Sequence, residues 1–148
     1  MKAGGRVRLA WEALRALWPL ALVEVGLRTS DLTATCRRLR VRCDLASPAL
    51  PATEPTPPAE LAVLPAGTVA TVRACRAVLA RWPGGNTCLR QCLLIGHRLR
   101  GLDPVLRIGV RRDRDGSFSA HSWLEIRGRA LDPTASEYAA LGRTEGMR

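Results

Sequence analysis

A thiol at the start of a helix, an imidazole on a strand and a carboxylate just past a hairpin can together attack and transfer an acyl group. Cys88, His121 and Asp132 hold those three places in the sequence. Asn86 or Thr87 can cap a helix that runs to Gly101, which puts Cys88 in its first turn. The unpaired N–H groups and the positive dipole end there stabilise a thiolate and could receive a developing oxyanion. Such a thiol needs a base, and the chain has 2 histidines. His97 lies on the same helix, nine residues and two and a half turns on, too far to reach Cys88. His121 lies on a strand between the small residues Ala120 and Ser122.

The carboxylate follows from hairpin geometry. If Arg127-Gly128 is a two-residue turn, Ile126 pairs with Arg129 and Trp123 with Asp132. His121 shares a face with Trp123, so Asp132 becomes its diagonal neighbour and can fix the imidazole tautomer. A slip of one residue would place Asp132 on the wrong face. Taken singly, each residue has a plainer reading: a helical cysteine is most often small core filling, a strand histidine is usually structural, and Asp before Pro usually begins a turn.

Three segments must position these groups. Residues 1–46 carry nine Lys/Arg against four acids and read as two helices. Trp11 and Trp18 lie on one side of the first, and the second, capped by Thr29 or Ser30, runs to about Arg42. The basic turn Arg37, Arg38, Arg40 and Arg42 suits a helix C-terminus and reads as a solvated face or a docking surface. Residues 47–66 have no basic residue and six of the 10 prolines, the composition of an extended connector. Residues 67–148 are the expected catalytic core. Val69, Val72, Cys75, Leu79 and Trp82 recur at helical spacing up to Pro83-Gly84-Gly85. After the Cys88 helix and Pro104, Leu106, Ile108 and Val110 alternate as a half-buried strand, Asp115-Gly116 turns, and Phe118–Ile126 and Arg129–Asp132 follow. Helices packed on a small antiparallel sheet make an α+β fold.

The 148 residues amount to one domain's worth of chain, with a net charge of +10, a pI near 11.0 and Lys2 as the single lysine. That balance favours an acidic partner, whether nucleic acid, anionic membrane or acidic peptide. An aromatic content of 4% argues against a base-stacking platform. Five cysteines without a regular framework point to a reducing cytoplasm rather than a secreted scaffold. The apolar run Leu17–Val23 is interrupted by Pro19 and flanked by Arg15 and Glu24, so it reads neither as a signal peptide nor as a span, though it admits peripheral membrane contact.

Thr87-Cys88-Leu89-Arg90, the strand Leu106–Val110 and Ala120-His121-Ser122-Trp123-Leu124-Glu125 resemble the B2 proteins of lasso peptide biosynthesis, most strongly over residues 67–135. His121-x-Trp123-x-Glu125 followed by Asp132-Pro133-Thr134 also resembles the wider transglutaminase-like pattern. The resemblance implies a papain-like, transglutaminase-like core with a Cys88–His121–Asp132 triad. It implies a cysteine peptidase that removes the leader from a ribosomally made precursor, without metal or organic cofactor. The implied partners are a separate leader-recognition B1 protein and, downstream, a macrolactam synthetase. Cys92 departs from the pattern, standing where a small hydroxyl residue or alanine is expected. It reads as inert packing, as a thiol able to bridge to Cys88, or, with Cys88, His97 and His121, as a poor zinc set lacking any CxxC pair. Asn86 and Gln91 are candidates for an oxyanion side chain. Two other readings keep their place: acyl transfer to an amine through the same triad, and a basic nucleic-acid-binding module without catalysis, for which no recognition motif occurs.

Overall fold

The computed structural model describes residues 3–45, 64–65 and 67–141. The proline-rich connector expected at 47–66 therefore lies, except for Leu64 and Pro65, outside the described residues.

Helix α1 (Ala3–Thr29) continues through Pro19, and its inner face places Ala16, Leu20 and Val23 in the core with no exposure at all. Thr29 does not cap the next helix, because its hydroxyl is already bonded to the Val25 carbonyl in the last turn of α1. Asp31 takes that role. Its Oδ1 accepts the Ala34 N–H at 2.7 Å, and α2 (Leu32–Leu39) is correspondingly shorter than expected. The helix ends at Arg40, in the left-handed region at φ 55°, and the chain turns into β1 (Arg42–Cys43). At Gly26 a Cβ would stand 2.6 Å from Thr35 Cγ2, so the close crossing of α1 and α2 requires glycine there.

Helix α3 (Val69–Leu79) stops four residues short of Pro83, and α4 (Cys88–Arg98) follows. The sheet comes next: β2 (Val105–Arg112), β3 (Phe118–Ile126), β4 (Arg129–Ala130) and β5 (Ala139–Ala140). Its strand order is β1-β2-β3-β4, with β5 also paired to β2. The sheet is mixed rather than purely antiparallel, because β1 runs parallel to β2, with Arg42 opposite Val105. Two residues are too few to show a two-fold pattern in sequence.

Arg127 (φ 53°) and Gly128 (φ 74°) form the two-residue turn, and Ile126 pairs with Arg129 as the turn requires. Helices cover one face of the sheet. Leu106, Leu124 and Ile126 join Leu20, Leu93 and Leu94 in the main core, so α1 and the Cys88 helix share one hydrophobic interior. A smaller cluster of Trp123, Ala135 and Ala140, with Tyr138 against it, lies apart from this core. Arg107, at a position alternation assigns to solvent, is only 6% exposed. It is held between Glu125 and Asp44, a charge buried with partners rather than a solvated one.

Candidate active site

Cys88 is the first residue of α4. Thr87 is extended at φ −88° and ψ 151°, and its hydroxyl accepts the Arg90 N–H at 3.3 Å. Of the two caps the sequence allowed, Thr87 is the one used. In a helix so started, the N–H groups of the first turn have no carbonyl of their own, so they face whatever lies beside Cys88. Cys88 is half-buried on a cleft of about 430 Å³, open mouth included. Gln91, Arg76 of α3, Ser122 and Trp123 of β3, and Asp132 also line the cleft. Gln91 stands in the same cleft as the thiol, whereas Asn86 is exposed before the helix begins.

Asp132 divides its two oxygens between two tasks. Oδ1 accepts the Thr134 N–H at 2.9 Å and the Thr134 hydroxyl at 2.7 Å, fixing the carboxylate at the head of the 3₁₀ turn Pro133–Glu137. Oδ2 lies 2.7 Å from His121 Nε2. Burial pulls this carboxyl upward, but the Thr134 bonds and His121 together outweigh it and hold the group below its ordinary range. The contact with His121 is the expected one, although the ladder does not extend to it. Strand β4 ends at Ala130, and Leu131 N–H still reaches the Leu124 carbonyl at 2.8 Å before Pro133 turns the chain. Asp132 thus meets His121 as the cap of a 3₁₀ turn, not as a residue paired with Trp123.

The imidazole is more closely walled than its small neighbours in sequence suggest. Trp123 stacks beside it with ring centroids 6.4 Å apart, and Tyr138 is tilted against it at 5.0 Å. The Trp123 indole N–H donates to Glu125 Oε1 at 3.2 Å, while Glu125 Oε2 accepts from Arg107 Nε at 3.2 Å. Gly109, directly across the ladder from His121, provides the space. A Cβ there would come within 2.9 Å of the Trp123 ring and of the Ala139 carbonyl. Tyr138, Thr134 and Gly109 went unassigned in sequence. Only Thr134, directly after the Asp132-Pro133 step, carried a local signal, that of a capping partner.

The remaining thiols and His97 lie elsewhere or are spent on packing. Cys92, one turn after Cys88, is buried and donates to the Ser122 carbonyl at 3.3 Å; burial pushes its thiol up to about 12. Burial also pushes Cys36 and Cys75 up to about 12 and raises Cys43. All five cysteines are free thiols. His97 Nδ1 is bonded to the Leu39 carbonyl at 2.8 Å, tying α4 to α2. Among the described residues, no three His, Cys, Asp or Glu side chains are grouped to hold a metal ion. No helix among them is long and apolar enough to cross a membrane.

The structure therefore brings His121 and Asp132 into hydrogen-bond contact and sets Cys88 and Asp132 on one cleft. A thiol, an imidazole and a carboxylate so placed suit acyl chemistry through a thioester, as in cysteine peptidases and acyltransferases. No curated protein and no solved structure matches the chain significantly. The family model for the transglutaminase-like superfamily matches residues 21–144, from the middle of α1 to beyond β5, and so takes in Cys88, His121 and Asp132 in their order along the chain. By that match, and with the α+β architecture that carries it, this chain belongs to the transglutaminase-like superfamily.

Proposed function

We propose that the protein is a cysteine peptidase that removes the leader from a ribosomally synthesised lasso peptide precursor, working with a separate leader-recognition B1 protein. The observation that carries the catalytic part is the 2.7 Å contact between His121 Nε2 and Asp132 Oδ2, made by a carboxylate that lines the same cleft as Cys88. With Nε2 committed to Asp132, Nδ1 is the ring atom left to serve the thiol. Cys88 Sγ attacks the scissile carbonyl, and its proton passes to His121. The tetrahedral oxyanion is received by the N–H groups at the start of α4, with Gln91 as the side-chain candidate. Collapse of this intermediate breaks the C–N bond, and His121 protonates the leaving amine. Water, deprotonated by His121, then attacks the thioester; the C–S bond breaks, the acid is freed, and the Cys88 sulfur takes the proton back from His121. Asp132 stays ionised throughout and stabilises the imidazolium.

The peptide substrate and the partner rest on the sequence resemblance, strongest over residues 67–135. The freed core peptide would pass to a macrolactam synthetase. The test is to incubate a candidate precursor with the protein, with and without the B1 protein, and to read masses. Leader and core summing to the precursor plus one water support hydrolysis. An acyl adduct on an added amine would instead assign acyl transfer, which the same site can perform. Cys88→Ala should abolish either product.

A nucleic-acid module is the weaker reading, because several arginines are engaged within the fold. Arg90 and Arg98 pair with the largely buried Glu24 and Glu12, and Arg107 pairs with Glu125 and Asp44.

A further inference from the structure

Helix α1 is apolar on two opposite sides. One side is buried through Ala16, Leu20 and Val23. On the other, Val7, Trp11, Leu14, Trp18 and Val25 are 70, 58, 58, 72 and 51% exposed, with Leu17 at their edge at 44%. These positions recur at steps of three, four and seven residues, so they form one stripe along roughly 27 Å of helix. A surface helix ordinarily presents polar side chains on its outer face, and two indoles held out in water on one stripe mark a contact surface.

The charges around the stripe have a single sign. Arg8 and Arg15 lie three and four residues from Trp11, Arg15 lies three from Trp18, and Arg28 lies three from Val25. The two acids of α1 are engaged on the inner side, Glu12 with Arg98 and Thr71 and Glu24 with Arg90 and Trp82. The border arginines Arg15 and Arg28 also reach them, at 3.7 and 3.3 Å, yet keep side chains 53 and 72% exposed, and Arg8 donates to the Gly67 carbonyl at 3.1 Å. The whole chain carries +10. The stripe is therefore an apolar strip edged by guanidinium groups on a strongly cationic molecule.

We propose that this face of α1 docks flat on an anionic lipid surface, with Trp11 and Trp18 entering the headgroup region and the flanking arginines on lipid phosphates. Tryptophan prefers that boundary because its ring is apolar and its N–H is polar, and arginine can extend its head to phosphate while its stem stays apolar. Apolar burial and attraction to anionic headgroups add, which is the pairing of signals that peripheral binding requires. A second copy of this chain suits the face poorly, since dimerisation would oppose two arginine borders on chains of the same high charge. A helical protein partner suits it less well too, since two indoles are broad for seam positions that favour leucine and branched aliphatic residues.

The test is co-sedimentation of the full chain with vesicles of phosphatidylcholine alone or mixed with phosphatidylglycerol. The protein should sediment with the mixed vesicles, remain free with phosphatidylcholine, and be released by high salt. Tryptophan emission should shift to the blue on binding. The double variant Trp11→Ser, Trp18→Ser should lower the partition coefficient at least roughly tenfold, since two interfacial rings and their apolar area are lost. Arg15→Gln, on an exposed side chain between the two indoles, should weaken binding in the same direction if the double variant folds poorly. Equal sedimentation with both vesicle types, no sedimentation with either, or undiminished binding by the folded variants would overturn the proposal. So would a concentration-dependent dimer abolished by the tryptophan substitutions, which would give the face to a second copy.

Discussion

At the scale of single residues, Asp132 is the most constrained group of the site, since each carboxylate oxygen has its own partner. Replacing it by Asn keeps the shape but loses the charge that supports an imidazolium and can turn the ring to the wrong tautomer. Asp132→Asn should lower kcat by roughly 10²- to 10⁴-fold with little change in KM. The same group makes a prediction about stability. Its folded-state pKa lies below the ordinary value, so its contribution is fully present above the unfolded-state pKa of about 3.9 and is lost as pH falls through the lower folded value. The difference in urea midpoint between the wild type and Asp132→Asn should therefore be flat from neutral pH to about pH 5 and shrink below it. The helix start at Cys88, the strand that carries His121 and the turn ahead of Asp132 were legible because each has a local signal: a cap, an alternation, and a left-handed pair that sets register. Tyr138 was not, because it reaches the ring through a 3₁₀ turn that no periodicity announces.

For the elements, the position of the imidazole depends on a hydrogen-bonded and stacked row that starts at Arg107 of β2 and runs along β3 through Glu125 and Trp123 to His121. Gly109 is the empty place that lets Trp123 lie flat. Gly109→Val should force apart the Trp123 ring or β5, displacing His121. We expect kcat to fall about 10²-fold, the order of loss that an ångström of misplacement produces, while far-ultraviolet circular dichroism stays native. Similarly, Thr87→Ala removes the cap that starts α4 at Cys88. It should cost about 1 kcal/mol in urea unfolding and slow turnover by loosening the thiol. Strand β3 and the Arg127-Gly128 turn were readable to the residue, because alternation and a left-handed pair specify them. The start of α2 was misplaced, because Thr29 and Asp31 both have capping chemistry and only the use of the Thr29 hydroxyl within α1 decides between them. β1 went unseen because it exists only through its pairing with β2.

At the scale of the whole molecule, the arginine-rich composition has two roles that the sequence could not separate. Some arginines are structural struts: Glu24, 5% exposed, receives Arg90, Arg28 and the Trp82 indole, joining α1 to the start of the Cys88 helix. Glu24→Ala would leave a buried guanidinium without its carboxylate and should destabilise the fold by about 3–5 kcal/mol, readable as a lowered urea midpoint at unchanged slope. Others, such as Arg37, Arg38 and Arg40 at the end of α2, are exposed and remain candidates for docking a leader or partner. Neutralising those three should weaken precursor processing at fixed salt without abolishing Cys88 chemistry, measured as a rise in KM.

In the proposed function the Cys88 thiol and the His121 ring act as one unit. The most direct measurement of that coupling is the rate at which iodoacetamide alkylates Cys88 at neutral pH, followed by peptide mass mapping in the wild type and in His121→Ala. A paired thiol should lose about tenfold or more of its alkylation rate when the ring is removed, with Asp132→Asn falling between the two. Identical rates in all three proteins would contradict the account, because Cys88 would then be a cleft cysteine with no base.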